Sequence, residues 1–523
     1  MNYEVIIVGG GPVGAALAIE LGMLGISTAV LEKYDEPLLL PRSQLLNPRS
    51  MEFSRRWGIK QQLLNKRLLS SKQALKVIWC SGLAGKMYSL VDITKNIDAD
   101  VTAENYQTLA LWLTEEVLRE RILDFKNVEF IKQTEVIDIV QDENKVTVTV
   151  KNKGDNQYHL TANYLVGCDG ARSITRTKMG LKSENYLPEQ TALSILFHSQ
   201  DIKEKISLPP ASVYFNLTTG KTAGIGCVDY ENGLWYCHVL RPGKQSLNDI
   251  DLSAVLDQTA GFEFKKEIKQ AHFWMMRAEI AENFRQGRVF LAGDAAHASP
   301  PTGGHGLNTG LADAVNLGWK LAAVLRHQAG ETMLASYDLE RRPIAIRNLK
   351  AAIKNAEDAL RVRKIYPPET HADDFAKENT RIARQHAVSP GIALGYFYLN
   401  SPIIMQTTEH DYQDNPFVYQ PKALPGYFAP HCRVGKNRNL YDYLSSEHSL
   451  LMTEQTNEQD VQPLIEQFAQ KKVTLKLLIL KDELIKKLYP KPYYLLRPDW
   501  HIAWHGDKMP QDVEGFVNQL IGY

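Results

Sequence analysis

A glycine-rich turn near the N-terminus, Gly9-Gly10-Gly11-Pro12-Val13-Gly14, constrains the fold of this chain more than any other feature. The β-branched, apolar residues 3–8 before it predict a strand buried on both faces of a parallel sheet. An Ala/Leu-rich segment with helical periodicity follows at 15–24, and residues 27–31 predict a second buried strand that ends at Glu32. The opening of the chain therefore predicts a βαβ unit of the Rossmann type within an α/β fold.

Three of the four glycines in this turn, Gly9, Gly11 and Gly14, have the spacing that suits the binding of a dinucleotide. Gly9 permits a tight turn, Gly11 lets the backbone approach a pyrophosphate, and Gly14 lets the helix pack closely on the strand. The helix N-terminus then faces the phosphates. Glu32 follows Gly14 by 18 residues and can accept hydrogen bonds from a ribose. A carboxylate there favours a free ribose hydroxyl, which indicates FAD or NAD rather than NADP.

A second set of residues, far along the chain, has similar chemistry. It runs Gly293-Asp294-Ala295-Ala296-His297, then Pro300-Pro301, then Gly303-Gly304-His305-Gly306-Leu307-Asn308. Asp294 follows a short apolar strand and can accept from a ligand hydroxyl, and the glycines offer N–H groups at the start of the next helix. Alone, this segment could be an ordinary strand–turn–helix corner. Two such sites in one chain suit an extended ligand with a nucleotide at one end, such as FAD.

Charge and cysteine content narrow the class of protein. Lys and Arg total 60 and Asp and Glu total 60, so the net charge is zero and nucleic-acid binding is not expected. The five cysteines are scattered without a C-x-x-C pair, which indicates a reducing cytoplasm and neither a disulfide framework nor a metal site. No uninterrupted apolar stretch reaches the ~18 residues of a membrane span. We therefore expect a soluble, cytoplasmic protein.

Three motifs in order show a resemblance to a known family. They are Gly9–Gly14 with Glu32, Asp169-Gly170-Ala171-Arg172-Ser173 with Arg176, and Gly293–His297. In these motifs the sequence resembles the single-component, FAD-dependent aromatic hydroxylases related to p-hydroxybenzoate hydroxylase. The resemblance is clear over about residues 1–345. Lesser matches are Arg42, Trp319-Lys320-Leu321 and the segment from Tyr337 to Pro343.

The resemblance implies a set of FAD-binding residues. Glu32 would hold the adenosine ribose and Asp294 the ribityl chain, and the backbone of Gly306 to Asn308 would contact the isoalloxazine ring. Asp169 would serve FAD or NADPH binding, or would instead brace Arg172 and the neighbouring loops. The full set is Gly9, Gly11, Pro12, Val13, Gly14, Glu32, Lys33, Arg42, Val136, Asp169, Gly170, Arg172, Gly293, Asp294, Pro301, Gly304, Gly306, Leu307 and Asn308.

The resemblance also implies a reaction. NADPH or NADH would reduce FAD, and the reduced flavin would react with O₂ to give a C4a-hydroperoxide that hydroxylates a phenolic or polyketide-like aromatic. Baeyer–Villiger or epoxidising oxygenation, a flavin dehydrogenase and a non-catalytic FAD-binding protein are the alternatives. The substrate would lie between the flavin and the second domain, where Tyr214, Tyr236 and His238 are candidate contacts. The sequence does not identify the base that would deprotonate a phenol.

Two positions depart from the family pattern. Leu111 stands where the family usually has a glutamine, and Gln107, one turn earlier, is a candidate substitute. His305 stands where many relatives have a glutamine beside the flavin. We expect His305 to titrate near neutrality, so that it could tune the flavin or reach the substrate, and it is the candidate catalytic residue. The alternative is a loop histidine with no catalytic part.

The predicted organisation has five parts. They are an FAD-binding domain in two pieces (1–180, with an excursion into the substrate domain around 70–105, and 285–365), an α+β substrate domain (181–284), a helical linker (366–423) and a C-terminal domain (424–523). The segments Pro425–His431 and Tyr494–Asp499 resemble the thioredoxin-like domain of larger family members, here without C-x-x-C. This domain would have an oligomerisation or packing role. Residues 50–64 predict one amphipathic helix.

Overall fold

The computed structural model describes residues 2–39, 44–70, 73–93, 100–218, 223–241, 246–406, 412–436, 438–453 and 458–523. The strands are β1 (Asn2–Val8), β2 (Thr28–Leu31), β3 (Leu45–Leu46), β4 (Lys76–Cys80), β5 (Met87–Asp92), β6 (Gln107–Thr108), β7 (Val128–Ile131), β8 (Thr134–Gln141), β9 (Val146–Asn152), β10 (Gln157–Gly167), β11 (Ser183–Asn185), β12 (Gln190–His198), β13 (Val213–Asn216), β14 (Ala223–Asp229), β15 (Leu234–Arg241), β16 (Glu267–Met276), β17 (Glu279–Ala281), β18 (Arg285–Gln286), β19 (Val289–Leu291), β20 (His297–Ala298), β21 (Arg433–Val434), β22 (Arg438–Asn439), β23 (His448–Met452), β24 (Leu475–Ile479), β25 (Tyr493–Leu496) and β26 (Ile502–Gly506). The helices are α1 (Pro12–Met23), α2 (Pro48–Arg56), α3 (Lys60–Asn65), α4 (Leu111–Ile122), α5 (Ile174–Lys178), α6 (Asp201–Lys205), α7 (Leu252–Ala260), α8 (His305–Leu325), α9 (Glu331–Ile365), α10 (Ala372–Ala387), α11 (Pro390–Leu394), α12 (Glu458–Gln470), α13 (Glu483–Leu488) and α14 (Val513–Leu520).

The first sheet has the order β18-β19-β10-β1-β2-β7, and the β8–β9 hairpin joins it through β10. Strands β19, β10, β1, β2 and β7 run parallel to one another. Helix α1 covers one face, and its residues 14–22 are buried. The near-continuous apolar runs of β1 and β2 suit this position because both faces of each strand are covered. The predicted Rossmann-type unit is thereby confirmed.

The second sheet has the order β16-β12-β15-β14-β13-β4-β5 and is mostly antiparallel. Strands β4 and β5 come from the segment that was predicted to leave the first domain, and β4 pairs in parallel with β13. Helices α6 and α7 contribute Ile202, Val255 and Leu256 to the apolar core on one face of this sheet. The predicted domain limits stay predictions, but the two kinds of sheet are those that the sequence pattern indicated.

The C-terminal residues form a four-stranded mixed sheet with the order β24-β23-β25-β26. Strands β23 and β24 are parallel, whereas β25 and β26 are antiparallel to their neighbours. Helices α12 and α14 pack Phe468 and Val517 against one face. Leu451 and Leu496 belong to the same apolar core as α1 and α8, so this unit packs firmly on the rest of the chain.

A buried ionic network joins the C-terminal unit to α8 and α9. The Glu340 carboxylate accepts from Lys320 Nζ at 2.7 Å and from Arg497 NH1 at 2.6 Å, and Arg497 also pairs with Asp499. All four side chains have at most 1% of their surface exposed. Burial lowers the pKa of Lys320 to about 8, and the two cations outweigh burial to hold the pKa of Glu340 below its usual range. Three segments that matched the family as separate short motifs thus form one structural unit.

The helix predicted over 50–64 is wrong in one respect, since α2 and α3 are separate. Gly58 between them has a φ of +73°, a left-handed conformation that interrupts an α-helix. The amphipathic pattern continued across the break because Phe53 and Leu63 both enter the same core. Among the described residues, we find no helix that has both the length and the apolar character needed to span a membrane.

Candidate functional site

Four predicted motif segments meet at one edge of the first sheet. Val8, the last residue of β1, lies beside Leu31 of β2 and Gly167 of β10, and Gly167 lies beside Leu291 of β19. The chain therefore leaves these strands side by side into the glycine turn, Glu32, the Asp169 motif and the Gly293 motif. The carboxyl edge of a parallel sheet is where α/β folds bind ligands.

Close packing of α1 against α8 brings the two glycine-rich segments together. A Cβ atom at Gly310 would lie 2.6 Å from Val13 Cγ2 and 3.0 Å from Gly293 Cα. No side chain could be accommodated there without separating the helices. The first turns of α1 and α8 therefore lie near each other, and neither start is capped by a side chain of the described residues. Their N–H groups can serve an anionic or polar ligand.

At two positions near these helix starts, Gly11 and Gly306, the folded protein itself has room for a larger residue than glycine. Gly11 has an ordinary φ of −69°, and the nearest atom to a Cβ built there is Glu115 Oε1 at 4.0 Å. At Gly306 the nearest atoms, Asp294 Oδ1 and Ser299 Cβ, are 3.9 Å away. Gly14 differs, since its Cβ would lie 2.0 Å from the Gly9 carbonyl oxygen. Bare backbone at Gly11 and Gly306 fits a ligand that approaches both helix starts.

Glu32 closes the glycine turn from the end of β2. Its carboxylate accepts from the backbone N–H groups of Gly10 and Tyr34, each at 2.8 Å, and it keeps lone pairs for a further donor. Arg119 of α4 donates to the Gly10 carbonyl at 3.0 Å, and its guanidinium lies 3.8 Å from Glu32. The sequence reasoning missed Arg119 because no local motif marks it. Lys33 is exposed beside Glu32.

The Asp294 carboxylate is exposed at the start of a single 3₁₀ turn, Gly293–Ala295. Asp313 of α8 fixes this turn, because its carboxylate accepts from Gly293 N at 3.0 Å. The same carboxylate accepts from His297 Nε2 at 2.6 Å and from Arg341 Nε at 2.7 Å. Burial alone would raise the pKa of Asp313, but His297 and Arg341 outweigh it and lower the pKa. Asp313 was missed because its partners lie up to 28 residues away.

Asp169 lies in the loop after β10, where its carboxylate contacts the start of the next helix. Its carboxylate accepts from Ser173 Oγ at 2.6 Å and from Thr175 N at 2.9 Å, so it organises the start of α5. Asp169 therefore braces the neighbouring loop, as one of the two alternatives expected, but it does so through Ser173 and Thr175 and not through Arg172, whose side chain is exposed. Gly170 has a φ of +76° in the same turn.

Arg176 links the second motif to the third. Its NH1 group donates to the Ala295 carbonyl at 2.7 Å, and its NH2 group donates to Ala171 O and pairs with Glu279 at 3.2 Å. Ala295 directly follows Asp294, so Arg176 helps to hold the exposed carboxylate in place.

The remaining predicted FAD contacts take different positions. Val136 is buried with Leu31 in the sheet core, so only its backbone could reach a cofactor. The Asn308 side chain is held within the protein: its Nδ2 donates to Leu45 O and Gly304 O, and its Oδ1 accepts from Asn47 N and Ser50 Oγ.

The other predicted contacts lie at or near the starts of α1 and α8. Pro12 is the first residue of α1, and Pro301 is exposed in the loop before α8. Gly304 precedes α8 with a φ of +67°, and Leu307 is partly buried in the first turn of α8. Arg42 lies outside the described residues.

His305 is buried at the first turn of α8. Burial, together with the positive charge of Arg347 nearby, lowers the pKa of His305 to about 4. The expectation that it titrates near neutrality is therefore wrong, since the ring is neutral at pH 7. Its ring packs within 2.5 Å of the Cβ position at Gly303.

Gln107 lies in β6, where its Oε1 accepts from Arg67 NH1 at 3.0 Å. It lines a cavity of about 460 Å³ together with Arg67, Tyr106 and Thr108. Arg67, which follows α3 in the chain, thus holds the Gln107 side chain.

The three candidate substrate contacts divide between the two faces of the second sheet. Tyr236 and His238 are two residues apart on β15 and share one face. Tyr214 lies in the row of Ile225 and Cys237, on the opposite face. Its hydroxyl accepts from Ala211 N and donates to Pro209 O within the core. The prediction that Tyr214 contacts the substrate is therefore wrong.

The face that carries Tyr236 and His238 is rich in partly exposed rings. Trp79 stacks on Phe215 with centroids 5.7 Å apart, and His238 lies 4.8 Å from Tyr236 and 6.2 Å from Trp274. Of these rings, only Tyr236 is fully buried.

Glycines on β14 let two of these rings lie flat on the sheet. A Cβ at Gly226 would come within 2.0 Å of the Tyr236 ring, and one at Gly224 within 2.9 Å of the Phe215 ring. The result is an aromatic face, comprising Trp79, Phe215, Tyr236, His238 and Trp274.

The aromatic face is turned toward the first domain. Tyr236 joins an apolar cluster with Ala110 and Trp112 at the start of α4. Trp79 packs on the same small cluster as Leu45, whose side chain lies 3.2 Å from the Cβ position at Gly304. The face thus neighbours the loop that begins α8.

Comparison with known proteins identifies the class to which this fold and site belong. Residues 2–352 match the family described as FAD binding domain, and residues 422–522 match the family described as aromatic-ring hydroxylase, C-terminal. The chain is therefore a flavoprotein. It belongs to the family of FAD-dependent aromatic monooxygenases.

Individual relatives agree with this assignment. The chain is 28% identical to the uncharacterized aromatic compound monooxygenase YhjG of Bacillus subtilis, over 100% of this chain and 98% of the relative. It is 26% identical to phenol 2-monooxygenase of a Pseudomonas species, covering 98% and 91%. The solved structure of the rebeccamycin biosynthetic enzyme RebC with reduced flavin superposes with a TM-score of 0.90 at 28% identity, covering 100% and 99%.

Proposed function

We propose that this chain is an NAD(P)H-consuming monooxygenase that hydroxylates a phenolic or polyketide-like aromatic bound between FAD and the aromatic face. The observation that carries the proposal is the pair of bare glycines, Gly11 and Gly306, beside uncapped helix starts at one sheet edge. They leave room for one elongated ligand next to a surface of partly exposed rings. Bound FAD would supply the reaction with O₂, which protein side chains cannot perform.

Each part of a bound FAD molecule would contact a different group of residues. The first turn of α1, with Gly11, suits the pyrophosphate, and the Glu32 carboxylate suits a ribose hydroxyl. Asp294, held by Asp313 and Arg176, suits the ribityl hydroxyls. The backbone at Gly306 and Leu307 would then meet the ring system. Flat rings on the facing sheet would orient an aromatic substrate and exclude water.

Replacing Asp294 by alanine is expected to weaken FAD binding about tenfold, because a carboxylate that accepts a ligand hydroxyl contributes roughly 1.5 kcal/mol. Glu32→Lys is expected to weaken it further by repelling the arginine beside it. The flavin-to-protein absorbance ratio after gel filtration measures both effects. Asp507→Ala, which changes an exposed carboxylate of the C-terminal unit, is the control. Full FAD retention in both site variants would contradict the assignment.

Baeyer–Villiger or epoxidising oxygenation on the same scaffold is the second candidate. The aromatic face accommodates a flat ketone as well as a phenol. Product mass and proton NMR of the oxygenated product separate a ring hydroxyl from an ester or an epoxide.

A further inference from the structure

The cavity of about 460 Å³ that Gln107 lines is bounded by the end of α3, by β6, and by the residues just before β4 and just after β5. Its volume falls within the roughly 300–1,000 Å³ of small-molecule sites in proteins. Of the described residues that line it, none is among those assigned above to FAD or to the aromatic face. The cavity is therefore a separate candidate binding site.

Much of the cavity lining is aliphatic. Leu64, Leu69, Ala74, Leu75 and Ile93 all contribute to it, and Leu69, Leu75 and Ile93 are buried. Leu75 has a φ of +61°, a left-handed conformation that a branched side chain rarely adopts. Strained residues of this kind cluster at ligand sites. These side chains favour a ligand with an apolar body.

Arg67 is the only charged side chain among the described residues that line the cavity. Its Nε donates to Leu64 O and its NH1 donates to Gln107 Oε1, each at 3.0 Å. No carboxylate of the described residues pairs with Arg67, whereas Lys60 and Lys66 in the same stretch each pair with a glutamate. The guanidinium is thus anchored by neutral groups, and its positive charge is available to an anion.

The Gln107 side chain adds a second donor to the lining. Arginine N–H groups only donate, so the amide oxygen of Gln107 is the atom that accepts from Arg67. The NH₂ group of Gln107 then has no acceptor among the described residues, and the side chain is partly exposed. A guanidinium and an amide NH₂ group held next to each other suit the two oxygens of a carboxylate.

We propose that this cavity binds a small apolar carboxylic acid. Its carboxylate pairs with Arg67 and accepts from the Gln107 amide, while its hydrocarbon part rests on the aliphatic side chains. A neutral hydrocarbon would leave the cation without a partner, and a bare inorganic anion would leave the aliphatic lining without one. The inference goes beyond the proposed function and does not depend on it.

The cavity lies beside the aromatic face. Leu75, Ile93 and Tyr106 belong to an apolar cluster against which Trp79 of that face and Leu45 pack. Leu45 is in β3, which pairs with β6, and so the Gln107 backbone belongs to the same two-stranded ribbon. A bound acid would therefore hold this junction together, and the Tm of the protein should rise with the concentration of the acid.

The test uses two probes of nearly equal shape on the FAD-loaded protein, 2-naphthoate and 2-naphthamide. Isothermal titration calorimetry at pH 7 is expected to give a Kd about tenfold lower for the carboxylate, because hydrogen bonds to a charged group are the stronger ones. Arg67→Met should remove this preference and leave the Kd of the amide nearly unchanged. Gln107→Leu should reduce the preference.

A second variant fills the cavity without changing its charge. Asn105 lines the cavity and is exposed, so Asn105→Trp adds bulk there with little cost to the core. It should weaken the binding of both probes. Lys66→Met is the matched control, because Lys66 is the neighbouring cation and pairs with Glu116. This variant should bind both probes as the unchanged protein does.

Equal affinity of the unchanged protein for the two probes, or no binding of either at millimolar concentration, would overturn the inference. Binding that neither Arg67→Met nor Asn105→Trp alters would place the acid elsewhere, for example on the aromatic face, and would overturn it as well. FAD content is read separately from visible absorbance. A protein that keeps its FAD and shows no preference for the acid therefore contradicts this inference alone.

Discussion

Gly11→Ala is expected to weaken FAD binding at least tenfold while leaving the protein fold unchanged. The alanine methyl group has room in the protein, since the nearest atom is 4.0 Å away and the backbone is in an ordinary extended conformation. The same methyl group would occupy the surface where a pyrophosphate must approach the backbone. A tenfold loss corresponds to about 1.4 kcal/mol. FAD titration followed by flavin fluorescence measures the affinity.

Gly14→Ala provides the comparison for this prediction. Its Cβ would meet the Gly9 carbonyl oxygen at 2.0 Å, so α1 must shift away from the sheet. We expect this variant to lose both FAD and thermal stability. Thermal unfolding of the FAD-free proteins should therefore leave Gly11→Ala close to the unchanged protein and lower the Tm of Gly14→Ala. A stable Gly11→Ala protein with unchanged FAD affinity would place the cofactor elsewhere.

Arg497→Met is expected to destabilise the folded chain by about 3–5 kcal/mol, the usual cost of leaving a buried charge without its partner. Arg497 pairs with both Glu340 and Asp499, and these side chains are at most 1% exposed. Lys320 would still neutralise Glu340, but Asp499 would lose its main cationic partner. The midpoint of urea unfolding, followed by tryptophan fluorescence, measures the loss.

An exposed arginine is the control for this prediction. Arg381 pairs with Glu378 along α10, and its side chain is 58% exposed. Arg381→Met should leave the unfolding midpoint almost unchanged, because solvent screens such pairs. A similar, small effect of both substitutions would mean that the C-terminal unit is not held through Arg497.

The sequence predicted the first part of the FAD site well because its signals are local. A strand, a glycine turn and a helix follow one another directly, and Glu32 ends the next strand. The pairing of β1 with β10 and of β10 with β19 could also be predicted from the sequence, because each of these strands ends at a recognisable motif. Parallel strands then bring their carboxyl ends together without further information.

The sequence could not show the residues that act across long separations. Asp313 holds the Gly293 turn by accepting from Gly293 N, while His297 and Arg341 donate to the same carboxylate. Arg119 reaches the glycine turn from α4. The face occupied by Tyr214 depends on strand register, which a one-residue change would invert. The neutral state of His305 depends on its burial and on the charge of Arg347, 42 positions along the chain, which only the folded structure brings near.

The visible absorbance spectrum of the purified protein tests the central claim most directly, recorded before and after NADPH or NADH is added under air. The account predicts flavin bands, and oxidation of the nicotinamide that accelerates when a phenolic substrate is present. A colourless protein that cannot take up added FAD would contradict the cofactor site at the carboxyl edge of the first sheet, and with it the proposed reaction.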